Sequence, residues 1–367
     1  MSRPPRLGVH QFVQELLPHD AIGSHTLLLR DALRRAGWRS EIFVEAPHAE
    51  TAADTLPYAA YTAEPGDVLV FQFSFSPGLA DFLATRPEPL VLSFHNVTPP
   101  DLWAGWDGGI TEGLTAAYGQ LRRLAPRVAL GLAVSRFNER ELRSLGYRST
   151  AVAPLLVDMA RLDVTPDPTV AARLAGAKRE GGADWLFVGR VAPSKAVEDL
   201  VKALWAYRRL YDPLARLHVV GPFPSQRYHH ALGGLADDLG LADAVRLLGE
   251  VPDAALAAFY AAADVYVSTS RHEGVGVPLL EAMRAGVPVV ALAAAGVPET
   301  VSGSGILVDR PAPSYLAAAV HRVLDDASLR ARLVEGGRAR AGEHAPDVAA
   351  RHAVDAIASV AGIPACA

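Results

Sequence analysis

Short, wholly apolar runs alternate with stretches of helical periodicity along the chain, and this alternation constrains the fold more than any other feature. A run that is apolar at every position suits a strand covered on both faces, as in a parallel sheet whose crossovers are helices. In the first half such runs lie at 7–9, 40–44, 67–72, 90–94 and 128–134. After the first of them, Leu29, Ala32, Leu33 and Ala36 fall at i, i+3, i+4 and i+7, and Gly37 is placed to end that helix. A second series lies at 185–188, 216–220, 245–248, 264–269, 288–292 and 305–308. Between the two series, 157–184 carries two prolines after Asp163, a Gly-Gly pair and mixed charge, and part of it reads as an interdomain connection.

The predicted architecture is α/β, with two doubly wound, Rossmann-like domains facing across a cleft. A length of 367 residues suits two domains. The expected division is 1–163 for an acceptor-side domain and 164–345 for a nucleotide-sugar-binding domain. A last helix, opened by Pro346 within 346–367, is free to cross back to the first domain. Ligands of open α/β sheets bind at the carboxyl ends of strands, so the chemistry is sought there.

Composition excludes several classes. A net charge of −5 gives no broad basic field, so no nucleic-acid partner is expected. The single cysteine, Cys366, makes neither an internal disulfide nor a cysteine-rich metal site. Arg3 and Arg6 precede no apolar stretch of signal-peptide length, and no run of about eighteen apolar residues occurs. The expectation is a cytoplasmic protein without integral membrane association, either free or peripheral at the inner membrane surface. Arg34, Arg35, Trp38 and Arg39 read as solvated helix-end residues rather than a membrane contact. His19, Asp20 and His25 read as a polar helix start rather than a metal site, and neither metal nor cofactor is expected.

The segment DVYVSTSRHEGVGVPLLEAMRAGVPVVAL, from Asp264, carries the strongest chemical signal. An apolar strand runs into a polar turn, and Pro278 suits the first turn of the following helix. Gly274 and Gly276 strip side-chain bulk from that turn, so a ligand can approach the amides around Val275 and Val277. Such amides, at the positive end of a helix dipole, favour phosphate or sugar oxygens. Glu273 in the turn and Glu281 in the helix add two carboxylates suited to accepting from sugar hydroxyls. Either glutamate alone is better explained as a solvated or helix-end charge; the ordered combination favours function. In WLFVGRVAPSKAVEDLVKAL, Arg190 and Lys195 share one strand-to-helix loop. They suit a diphosphate, Arg190 as a fork and Lys195 as a point charge.

Together these segments resemble the large retaining family of nucleotide-sugar glycosyltransferases with the GT-B architecture (family 4). The resemblance spans nearly the whole chain and is strongest from Trp185 to Asp309. It matches Glu273 and Glu281, with seven residues between them, to the family's paired glutamates, and Arg190 and Lys195 to its diphosphate loop. It also sets Gly249, Glu250 and Val251 against the nucleotide base and Gly23 in the first loop near the donor. His95 is the implied catalytic-site histidine, and His10, Asp20, His95, Asn96 and Trp103 are acceptor-side candidates. Departures are Ser24 after Gly23, Ala196 where the family has glycine after the lysine, the absence of Asn-Gly before Val157, and no aromatic after Gly274.

The resemblance implies transfer from a nucleoside-diphosphate sugar to a hydroxyl acceptor, a small molecule, a glycan or a lipid, with retention and without a metal. Arg190 and Lys195 would offset charge on the leaving diphosphate, Glu281 would hold the ribose and Glu273 the sugar. An epimerase or hydrolase of the same fold, or a non-catalytic nucleotide-sugar-binding module, are the alternatives. A dinucleotide oxidoreductase is disfavoured because the first strand lacks G-x-G-x-x-G and Leu279 stands at the third glycine position after 274–276.

Overall fold

The computed structural model describes residues 7–17 and 20–362; Arg3, Arg6, His19 and Cys366 lie outside the described residues. The described chain forms two compact units. Residues through Pro100, 109–158 and from His344 on make the first, and 101–108 with 159–343 make the second.

The first unit contains strands β1 (Val9–Glu15), β2 (Ile42–Ala46), β3 (Thr55–Pro57), β4 (Val68–Gln72), β5 (Leu90–Phe94), β6 (Leu130–Ala133) and β7 (Thr150–Val152). They form one sheet in the order β3-β2-β1-β4-β5-β6-β7, with every pair parallel. Its helices are α1 (Ala21–Arg35), α2 (Pro77–Ala84), α3 (Gly108–Leu124) and α4 (Arg136–Ser144). Every residue of β4 and β5 is buried, as apolar runs covered on both faces require. The edge strands β3 and β7 have no fully buried residue, and the search for continuous apolar runs passes over them. Asp20 caps α1 by accepting from the Gly23 amide, and Leu29, Ala32 and Leu33 turn inward as their spacing predicts.

The second unit contains α5 (Pro168–Arg179), β8 (Asp184–Val188), α6 (Val197–Leu210), β9 (Arg216–Val220), α7 (Gln226–Asp238), β10 (Val245–Gly249) and α8 (Asp253–Ala262). It continues with β11 (Val265–Ser268), α9 (Val277–Arg284), β12 (Val289–Leu292), α10 (Val297–Val301), β13 (Ile306–Val308), α11 (Pro313–Asp325) and α12 (Ala327–Glu343). The sheet order is β10-β9-β8-β11-β12-β13, again parallel throughout. Trp185, Phe187, Leu200, Leu204, Val219 and Leu316 lie in its core. Between the two series of strands, 168–179 is helical: Asp167 caps α5 and Pro168 opens it.

A final helix, α13 (Pro346–Val360), belongs to the first unit, where Ala349, Ala353 and Ile357 pack with Val9, Leu29 and Leu33. The loop 101–108 groups with the second unit, which differs from the sequence-based division. There Trp106 stacks edge-on against Tyr228 at 4.9 Å, and Arg227 donates to the Gly105 carbonyl at 2.7 Å. No helix among the described residues is long and apolar enough to cross a membrane.

Candidate functional site

In the second unit, β8 and β11 are neighbours at the point where the strand order reverses. Two loops leave their carboxyl ends there, 189–196 and 269–276. Both loops are laced together. Thr269 Oγ1 donates to the Ala196 carbonyl at 2.8 Å, and the Arg271 amide donates to the Ser194 carbonyl at 2.9 Å. Across this lacing, Lys195 Nζ lies 2.6 Å from Glu273 Oε1, both side chains more than four-fifths buried. Arg190 is exposed on the same loop as Lys195.

Backbone geometry explains the small residues. Gly276 sits at φ +74°, ψ +65° immediately before α9, a left-handed cap that turns the chain into the helix with Pro278 in the first turn. In the first turn of α9, Pro278 has no amide hydrogen and the Leu279 amide donates to the Gly276 carbonyl at 2.9 Å; Gly274 and Val275 before it are buried and Val277 is half-buried. Gly221, after β9, has φ +139°, and a Cβ there would stand 2.0 Å from the Gly189 carbonyl oxygen. Ala196 takes φ +49°, ψ +46°, a left-handed conformation held by a residue that has a Cβ. At the end of β10, Gly249 is half-buried, Glu250 exposed and Val251 half-buried.

Glu281 lies deeper, its side chain 2% exposed. Its Oε1 accepts from Arg161 Nη2 at 2.8 Å, and its Oε2 accepts from the Tyr260 hydroxyl at 2.8 Å. Arg161 also pairs with Asp253. Burial, then the charge of Glu281, pushes the Tyr260 hydroxyl well above its ordinary value, so it remains a donor. Burial weakens the charged form of Arg161, but the carboxylates of Glu281 and Asp253 override this and raise it. A pocket of about 210 Å³ is lined by Met159, Leu162, Tyr260, Glu281 and Arg284, among others; Lys195 and Glu273 are not among its walls. Sequence reasoning missed Arg161 and Tyr260. Arg161 lay in the stretch of which part reads as a connection, and Tyr260 is one of two adjacent aromatics, with Phe259, on an alanine-rich helix.

In the first unit, the order reverses at β1 and β4. A buried polar chain starts there from a backbone carbonyl. Gln11 Nε2 donates to the Thr26 carbonyl at 2.9 Å, and Gln72 Nε2 donates to Gln11 Oε1 at 2.7 Å. Gln72 Oε1 is therefore left to accept from His95 Nε2, 2.6 Å away. The chain of donors sets the tautomer: His95 carries its proton on Nε2, which also lies 3.2 Å from Ser93 Oγ, and among the described residues its buried Nδ1 has no hydrogen-bond partner. Burial lowers the His95 pKa to about 4, so the ring is neutral at pH 7. His25 packs edge-on to it at 4.8 Å and accepts from the Leu156 amide at 3.1 Å. Asn96 follows at φ +87°, its Oδ1 accepting from buried Asn138 at 2.8 Å.

Four sequence candidates find other places. His10 lies at the start of β1, level with Leu69 and hence Leu90, five residues short of His95 along the strands. It is enclosed there by Phe43 and Tyr61, with Asp67 at 3.8 Å, because its place in the strand register puts it at the amino end of the sheet. Asp20 is occupied as the cap of α1. Gly23 is buried where a Cβ would stand 1.9 Å from the Leu17 carbonyl oxygen, so its smallness serves the loop's own packing. Trp103 is 6% exposed and belongs to the loop grouped with the second unit. Among the described residues no group of three or more His, Cys, Asp or Glu side chains is arranged to hold a metal ion.

Two parallel, doubly wound sheets, each with helices in the crossovers, define the class: this is the α/β fold of the GT-B glycosyltransferases. The crystal structure of Anabaena HepE in complex with UDP-glucose superposes with a TM-score of 0.74 at 20% identity, covering 96% of this chain and 99% of that one. Residues 172–340, within the second unit, match the family described as glycosyl transferases group 1. The chain is similar to the D-inositol 3-phosphate glycosyltransferase of Geodermatophilus obscurus, at 40% identity over 205 residues, 53% of this chain and 44% of the relative. It is also similar to the GDP-mannose-dependent alpha-(1-6)-phosphatidylinositol monomannoside mannosyltransferase of Mycobacterium tuberculosis, at 37% identity over 183 residues, 47% of this chain and 46% of the relative. The matched part thus spans less than half the length of either curated relative.

Proposed function

We propose that this protein transfers a sugar from a nucleoside-diphosphate sugar to a hydroxyl acceptor, with retention of anomeric configuration and without a divalent metal. The observation that carries this reading is the 2.6 Å contact of Lys195 with Glu273 across two laced loops, beside the first turn of α9. A cation for phosphate and a carboxylate for hydroxyls thereby share one spot, each satisfied by the other until a donor enters.

Lys195 and exposed Arg190 then meet the diphosphate, helped by the amides of 274–277. Glu273 accepts from the sugar hydroxyls and Glu281 from the ribose. The bond between the anomeric carbon and the phosphate oxygen breaks, and the acceptor oxygen bonds that carbon on the same face. The acceptor's proton passes to the departing phosphate oxygen. His95 positions the sugar and is not the nucleophile. The names of the relatives favour a polyol phosphate or an inositol-bearing lipid headgroup as acceptor, and the HepE complex favours a nucleotide-sugar donor.

Donor sugars are identified by thermal shift, since a ligand of the native state raises apparent stability. The anomeric configuration of the product is then read by NMR in the presence of a chelator. An inverted product, or strict dependence on added metal, rejects the mechanism; hydrolysis or epimerisation without transfer across an acceptor panel rejects the function.

A further inference from the structure

On the reading that Glu281 receives the donor's ribose, we propose that Arg161 is the positioning residue that keeps this carboxylate ionised and turned toward the ribose diol. A carboxylate only 2% exposed has to be countered by a cation or take up a proton. Arg161 supplies the cation by donating to one oxygen at 2.8 Å, while the Tyr260 hydroxyl donates to the other at 2.8 Å. Each oxygen keeps a further lone-pair direction, and two acceptors side by side are what a vicinal diol requires.

The guanidinium is itself held. Arg161 pairs with Asp253, and the chain on either side of it is pinned to α9: Arg284 donates to the Met159 carbonyl at 3.1 Å and pairs with Asp163. Arg161 is therefore a partner in place before any ligand arrives. Asp253 stands two residues beyond Val251. One cation thus ties the segment assigned to the base to the helix that bears the ribose carboxylate.

The experiment titrates the full chain with UDP, GDP and ADP by calorimetry, then compares the best binder with its 2′-deoxy and 3′-deoxy forms across pH 5.5–8.5. The wild-type protein is expected to prefer the ribonucleotide by about tenfold or more, a charged hydrogen bond's worth, with little change over this pH range. In Arg161→Ala the preference falls to within about twofold near neutral pH and returns as the pH rises, while affinity for the deoxynucleotide changes little. Arg161→Lys keeps the charge but loses the fork to Asp253 and Glu281, and is expected to cut the preference about threefold; it decides the matter should Arg161→Ala fail to fold. An undiminished, pH-independent preference in both variants overturns the role of Arg161 and leaves the donor site standing. Wild-type protein that binds no nucleotide, or does not distinguish ribose from deoxyribose, overturns the ribose assignment on which this rests.

Discussion

The two switch points of this molecule are built from opposite chemistry. In the second unit the site is charged: Lys195 against Glu273, Arg161 against Glu281, with Arg190 exposed beside them. In the first it is neutral and buried, a chain from the Thr26 carbonyl through Gln11 and Gln72 to His95. The charged site holds groups whose attraction is strong and adjustable when a ligand exchanges partners. The neutral one fixes direction, because each amide has one donor end and one acceptor end and a backbone carbonyl sets the first of them.

That contrast breaks first at Lys195. Lys195→Ala is expected to lower transfer by about 10²–10³-fold, the scale of losing one preorganised stabilising group, with the fold retained by circular dichroism and the melting temperature lowered because Glu273 loses its partner. Steady-state rates with a saturating acceptor check it, and wild-type turnover would remove the charged site from the chemistry.

Acid separates the two regions next. His95 and His25 are both held below the ordinary histidine value, His95 at about 4, in each case mainly by burial. Between about pH 6.5 and 4 the unfolded chain binds protons at these positions that the folded one refuses, so the first unit loses stability as pH falls through that window, by on the order of 3 kcal/mol for His95 alone. In the second unit burial would raise Asp184, but hydrogen bonds from His218 and Arg216 outweigh it and hold the carboxyl at about 2. Its contribution, on the order of 1–2 kcal/mol, is complete above about pH 4 and lost only as pH falls toward 2. Hydrogen exchange at pH 7 and pH 5 should show the first unit opening more readily at the lower pH, with little change around Asp184. Equal loosening of both units would contradict the assignment.

Gln72→Leu sharpens the contrast within the first unit. It leaves Gln11 Oε1 without its donor and the His95 N–H with only the longer contact to Ser93 Oγ at 3.2 Å, at a cost of about 1–3 kcal/mol measured by denaturant unfolding, and loosens the ring's orientation. Turnover should fall more than donor affinity; unchanged turnover would leave the chain a purely structural device.

Smallest is Ala196→Gly, which removes a Cβ from a left-handed conformation and is expected to raise stability of the second unit by about 0.5–1 kcal/mol, part of the gain being offset by the glycine's extra unfolded-state freedom. A loss of stability would mean that the buried methyl group outweighs the backbone strain.

Both parallel sheets were legible in the alternation of apolar runs with helical spacing, because a strand covered on both faces has no choice of pattern. The residues of the second unit's loops were legible too: glycines, a proline and charges at strand ends mark themselves by type and order. The edge strands β3 and β7 were not, since half-exposed strands of three residues leave no continuous apolar run. Arg161, Tyr260, Gln11 and Gln72 were not either, because an arginine in a linker and glutamines in strands are ordinary until folding brings them to a carboxylate or an imidazole. His10 shows the converse: it is a histidine of the right type on the right strand, but register sets it at the amino end of the sheet. Covalent order prescribed which chemistry each strand end carries; the partners of those groups, and hence the charge and direction of each, came from contacts between residues as far apart as Arg161 and Glu281, whose meeting no local pattern encodes.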